Sequence, residues 1–292
     1  MRSGFASLGQ HPLAPPPAGS SILKLIIEPG RGAANYWGDV WRYRELLYFL
    51  TWRDIAVRYK QTAIGVAWAL LRPAITMTVF VLFRRLMGTP PASVPEPVLV
   101  FAAVLPWQFF SSALSESSMS LVGNASLVSK VYFPRLLVPA AAVTAAFADF
   151  LITLALLAGL MAWYGVAPGW SVLALPAFVL LAAALALGSG LCLAALNVEY
   201  RDFRYVVPFM IQVALFVSPI AFMTANVPER WRPLYSLNPL VGVIDGFRWS
   251  ILGDRFPVDG RALATTIVIA LLSLVVGVWY FRRVERRFAD VI

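Results

Sequence analysis

The residue types that carry out reactions are scattered along this chain or missing from it. The carboxylates within or beside its apolar runs are Glu116, Asp149 and Glu199, each in a different segment. General acid–base or metal chemistry needs several such groups to converge. The one histidine, His11, lies in a Pro-rich leader, and the one cysteine, Cys192, lies in an apolar run. Neither a His/Cys metal cluster nor an internal disulfide can be built from these. No GxxxxGKS/T loop is present to cradle a nucleotide phosphate, and no HExxH zinc motif occurs. A proton-coupled carrier would show an intramembrane relay of Asp, Glu or His. Asp149 alone suits a buried site, and one carboxylate fits a hydrogen-bonded packing role between helices better than a relay.

The elements that hold these residues follow from composition. Of 292 residues, 60% are hydrophobic and 13% charged, and the mean hydropathy is +0.74. Soluble domains run near 45–50% apolar and about 25% charged. A soluble enzyme is thereby excluded. So is a β-barrel, whose strands alternate every second residue, because here the apolar residues come in long runs. The expected fold is an all-α polytopic membrane protein with six transmembrane helices. A span takes about 20 mostly apolar residues. Suitable runs lie at about 63–85, 97–117 (interrupted by Pro106), 136–163, 171–196, 205–224 (with Pro208 and Pro219) and 262–281.

Three regions are expected: a flexible segment over 1–36, an interface helix over 37–61, and a transmembrane domain over 62–292. Residues 1–21 are Pro-rich and lack the pattern of a signal peptide. The run 37–61 spaces Trp37, Val40, Trp41, Leu47, Leu50 and Ile55 at roughly helical intervals among many charges. It is too charged to span and too aromatic to float free, so it reads as an amphipathic helix in the membrane interface. The net charge is +9, from 24 Lys+Arg against 15 Asp+Glu. In a membrane protein this reflects the positive-inside rule and anionic lipid heads, not nucleic acid. Lys130, Arg135, Arg201, Arg204, Arg282, Arg283, Arg286 and Arg287 join the basic first 62 residues in placing both termini in the cytoplasm. The apolar stretch Leu237–Leu252 is too short to cross and is broken by Pro and Gly. It reads as part of a re-entrant hairpin at about 227–252, tolerated at depth only when buried in protein or facing a water-filled cavity. Asn238, Pro239, Asp245, Phe247 and Arg248 are its candidate outer-gate residues.

Four stretches in order resemble the membrane subunit of ABC-type polysaccharide exporters, the family that moves lipid-linked O-antigen, capsule or teichoic acid. Residues 52–68 (WRDIAVRYKQTAIGVAW) resemble the approach to that family's first span. Residues 129–135 (SKVYFPR) resemble its loop after the second span. Residues 197–203 (NVEYRDF), with Ser218-Pro219-Ile220, resemble its fifth span. Residues 237–239 (LNP) with 246–248 (GFR) resemble its hairpin before the last span. The resemblance implies a homodimer in the bacterial inner membrane, with a channel on the dimer axis and two ATP-binding-cassette ATPase subunits. It implies no cofactor on this chain, with ATP and Mg bound by the partner. It implies a substrate carried on a polyprenyl pyrophosphate. The Pro-rich leader and the Arg72-Pro73 pair depart from the family pattern.

Within that frame, Arg53, Asp54, Arg58, Tyr59 and Lys60, and the mixed-sign loop Glu199, Arg201, Asp202 and Arg204, are candidate ATPase-coupling residues. Plain topology-setting charge is the alternative. The family lines its channel with the first, second and fifth spans, which here carry Trp68, Phe80, Phe83, Trp107, Phe109, Phe110 and Phe216. Flat ring faces suit the CH faces of sugars, and conduction requires weak binding spread over many sites. Gln108, Ser111, Ser112, Ser115 and Gln212 lend polar company. Arg72 costs roughly 2.5 kcal/mol or more mid-span, so it is expected to face the channel or the dimer seam. Two other functions stay open: an ABC permease for another lipid or a drug, and a membrane sugar transferase.

Overall fold

The computed structural model describes residues 36–60, 65–88, 93–285 and 288. The Pro-rich leader with His11, Gln61, and the basic pair Arg286 and Arg287 lie outside the described residues. Every regular element among those described is a helix. In hydrocarbon a helix satisfies its own N–H and C=O groups, which favours this outcome for long apolar runs.

The interface stretch folds as α1 (Tyr36–Arg42) and α2 (Arg44–Lys60), with a turn at Tyr43 between them. Then come α3 (Gly65–Leu86), α4 (Glu96–Gly123), α5 (Ala125–Lys130), α6 (Leu137–Trp163), α7 (Leu175–Glu199) and α8 (Phe203–Val217). A short α9 (Arg232–Tyr235), α10 (Pro239–Leu252) and α11 (Gly260–Val284) complete the chain. Helices α3, α4, α6, α7 and α11 are long and apolar enough to cross a membrane. The chain is therefore a multi-pass membrane protein, all-α among the described residues.

Two expectations change. The apolar run at 97–117 is not interrupted: α4 continues through Pro106 for 28 residues. A proline removes one ladder hydrogen bond, and a helix held on several sides absorbs that loss. The fifth run does not form one long helix. α8 has 15 residues, about 22 Å, against a hydrocarbon core of about 30 Å. It stops at Ser218-Pro219, where Ser218 turns extended and Pro219 offers no N–H. The stretch read as a hairpin carries two unequal helical arms. Its first arm is a short turn, Glu229–Trp231, leading into the four residues of α9. Its second is the 14-residue α10, closed by Gly253 at φ 76°.

Residues Trp37–Ile292 form one unit. α4 is its axis, packed by α6, α7, α10, α3 and α8, and it is mostly buried, whereas α3 is mostly exposed. Helices α7 and α11 meet backbone to backbone. A Cβ on Gly188 would lie 2.5 Å from the Leu274 nitrogen, and one on Gly277 would collide with the Gly188 carbonyl. Small residues permit such close approach where lipid supplies no hydrophobic drive.

Candidate functional site: a polar face on α4 between two cavities

Gln108, Ser111, Ser112, Ser115 and Glu116 recur at three- and four-residue intervals along α4, so they share one face of it. That face opens on two cavities. One, of about 530 Å³, is lined by Arg58 and Tyr59 of α2, Trp68 and Arg72 of α3, and Asp149 and Thr153 of α6. The other, of about 400 Å³, is lined by Arg72 and Thr76 of α3, Trp107 of α4, and Pro208, Ile211 and Gln212 of α8. Arg72, Gln108, Ser112 and Glu116 border both. The lining mixes aromatic faces, hydroxyls, an amide and a cation, which suits a passing polar ligand better than lipid tails.

The first cavity is closed on one side by an ion cluster. Arg58 donates from Nη2 to Glu116 Oε2 at 2.6 Å and from Nη1 to Asp149 Oδ2. The Tyr59 hydroxyl donates to Asp149 Oδ1. Burial disfavours the Arg58 cation, but Glu116 and Asp149 outweigh it and hold its pKa above the ordinary value. Burial first, then the bond to Asp149, pushes the Tyr59 phenol well above its usual range. Tyr59 thus remains a donor. Asp149 is a hydrogen-bonded tie between helices, as its isolation in the sequence suggested.

The coupling candidates divide by direction. Arg58 and Tyr59 turn into the bundle and join α2 to α4 and α6. Arg53 donates to Asp54 and, at 2.7 Å, to Asn124 Oδ1 at the end of α4. Lys60, Glu199, Arg201, Asp202 and Arg204 are exposed.

The ring candidates divide as well. Trp68, 60% exposed, lines the first cavity, and Trp107 lines the second. Phe109 lines the first cavity and packs against Phe147 and Phe150. Phe110 is buried beside Trp107 and borders neither cavity. Phe80 is half-buried against the core. Phe83 and Phe216 are exposed.

At the far end, the gate candidates hold structure. The Asn238 side chain caps α10 by accepting from the Leu240 N–H at 3.0 Å. The Pro239 carbonyl accepts from Thr266 of α11. Phe247 is fully buried, edge-on to Phe150. Arg248, 2% exposed, lies 3.6 Å from Asp245 and donates to the carbonyls of Ile220 at 3.0 Å and Phe222 at 3.3 Å. Arg84 of α3 donates to the Ala221 carbonyl at 2.9 Å. Three successive carbonyls of the non-helical stretch after α8 thus receive guanidinium N–H groups. In the sequence Arg84 stands only as a charge at the end of the first apolar run. The Ser-Pro break at 218–219, which frees carbonyls that need donors, was the available signal.

A bundle of apolar helices with a polar, cavity-lined face and an exposed charged loop has the parts that the membrane subunit of a transporter needs. The chain belongs to the ABC-2 type transporter family, which residues 45–252 match. It is also similar to the O-antigen export system permease protein RfbA of Myxococcus xanthus, with 27% identity covering 87% of this chain and 98% of that one. Two proteins of the same description from Klebsiella pneumoniae are 26% and 25% identical, each over 85% of this chain and 95% of theirs.

Proposed function

We propose that two copies of this chain form the channel of an ATP-driven exporter that carries a lipid-linked O-antigen polysaccharide across the bacterial inner membrane. The observation that carries this reading is the α4 face bordered by two cavities, with Arg72 between them on the exposed side of α3. An arginine at that depth needs water or a partner, and a second copy facing α3 and α8 supplies the missing wall. Membership of the ABC-2 family and similarity to O-antigen export permeases favour this substrate. Separate ATP-binding-cassette subunits supply ATP and Mg.

Both termini are cytoplasmic in this reading. α8 with the stretch after it makes the fifth of six crossings, and α9–α10 dips into the outer leaflet as the gate. The ATPase docks on Lys60 and on the 199–204 loop. Its motion reaches the channel through α2, because Arg58 and Tyr59 grip Glu116 on α4 and Asp149 on α6. The anionic pyrophosphate head meets basic α2 first and Arg72 next, and sugars follow past Trp68 and Trp107. The test is reconstitution with the cognate ATPase and a lipid-linked O-antigen. ATP-dependent translocation and stimulated hydrolysis are expected. Hydrolysis indifferent to this subunit would sink the reading.

A further inference from the structure

A third cavity, of about 300 Å³, lies beside α10. Its lining comes wholly from residues 223–259, and none of it borders the two cavities on α4. Asp245 and Arg248 of α10 line it, with Arg232 of α9 and with Arg255 and Asp259 from the link into α11. Phe256, Pro257 and Val258 of that link supply an apolar wall. We propose that this cavity binds one neutral pyranose unit of the exported glycan, its hydroxyls shared between the carboxylates and the guanidiniums and its CH face against the apolar wall. The inference rests on the glycan-export reading above.

The chemistry of the lining selects that ligand. A carboxylate only accepts hydrogen bonds and a guanidinium only donates them, whereas each sugar hydroxyl does both. Two carboxylates and three guanidiniums around one space therefore suit the neighbouring hydroxyls of a ring. The charges also balance. Asp245 lies 3.6 Å from Arg248 and Glu229 lies 3.9 Å from Arg232, while Asp259 and Arg255 line the same cavity. A bare anion would meet two carboxylates there, which discriminates against it. Arg248 is 2% exposed, and its buried Nε has no hydrogen-bond partner among the described residues. Spare donor capacity on a buried cation at a cavity wall is costly without a polar ligand. The walls are fixed in advance. Arg232 donates to the carbonyls of Ala225 and Val227 at 3.0 Å each, and Asp259 caps α11 by accepting from the Arg261 N–H at 2.9 Å. Such preorganisation spares a weak ligand the cost of ordering its site. The volume is that of about ten waters, room for one ring, and the exposure of Arg255 and Pro257 opens it at the surface.

Cysteine protection in the full-length protein, held in lipid nanodiscs, tests the proposal. In a Cys192→Ala background, Ala225→Cys puts one thiol on the cavity lining, and Ala167→Cys puts one on an exposed loop outside it. The probes are the methyl glycosides of glucose, galactose, mannose, rhamnose and N-acetylglucosamine. At least one, at about 5 mM, is expected to slow methanethiosulfonate labelling of Ala225→Cys about sixfold, as a Kd of about 1 mM requires. Labelling of Ala167→Cys is expected not to change. Adding Arg255→Gln/Asp259→Asn, in which asparagine can still cap α11, is expected to abolish protection while the rate without sugar stays at the parent's. No protection by any glycoside, equal slowing at both positions, or protection kept in the double variant overturns the proposal. So does protection by inorganic phosphate or methyl glucuronide alone, which would make this an anion site. Export of a lipid-linked glycan is measured on the same protein. Export without protection refutes the sugar site and leaves the export reading standing, whereas protection without export refutes that reading alone.

Discussion

Arg72 sits in the apolar run of α3 and borders two cavities. Arg72→Gln is expected to lower export about tenfold, the loss of one charge-assisted contact, at unchanged protein level. Transport counted against immunoblotted protein checks it. Arg58 and Asp149 act as a unit with Glu116. Because their side chains are 27–32% exposed, solvent moderates the loss, and Arg58→Gln or Asp149→Asn is expected to cost about 1–2 kcal/mol each. The double variant should cost less than the sum, a coupling readable in a thermal-unfolding cycle. Tyr59 adds a pH signature. Its phenol is held protonated in the folded protein, while the unfolded chain releases that proton near pH 10. Stability is then level below that pH and falls above it, because the unfolded state binds fewer protons there. Tyr59→Phe should flatten part of the fall in melting temperature, and an unchanged alkaline slope would count against the assignment.

Between α8 and α10, element structure depends on side chains far away in sequence. Arg84 and Arg248 come from α3 and α10, yet they stabilise the backbone that follows α8. Arg248→Met leaves the Ile220 and Phe222 carbonyls without donors and Asp245 without its cation. Its expected cost is about 3 kcal/mol or more, seen as lowered thermal stability and early proteolysis after α8. The α7–α11 seam makes the opposite demand, that nothing be added. Gly277→Leu should separate the two helices and cost about 3 kcal/mol or more, whereas Gly159→Ala, where a Cβ meets nothing within 4 Å, should be neutral.

At the scale of the whole molecule, the proposed dimer makes each chain half of the path. α3 and α8 expose Trp68, Phe83, Phe209 and Phe216, and the polar face of α4 is open beside them. In a Cys192→Ala background, a cysteine at Phe216 or Phe83 is expected to cross-link two copies through a short bifunctional reagent in membranes. Monomer alone on non-reducing gels, with both positions labelled, would refute the dimeric channel. The proposed division of labour also belongs to this scale: docking groups on the 199–204 loop, a transmitting helix in α2, and a ligand face on α4.

Membrane residence, the helical class and the position of most spans were legible in the sequence, because each depends on runs of about 20 apolar residues and on nothing distant. Three features were decided only by the tertiary structure. α8 stops short, because a Ser-Pro break becomes tolerable once two arginines cover the carbonyls it frees. α4 passes straight through Pro106, because its neighbours hold it on several sides. Arg58 and Tyr59 turn inward, because Glu116 and Asp149, more than fifty residues further along, wait at the level where α2 ends. A sequence displays the groups a helix carries, but the pairing of a buried charge is a fact about its neighbours, and the fold alone supplies those.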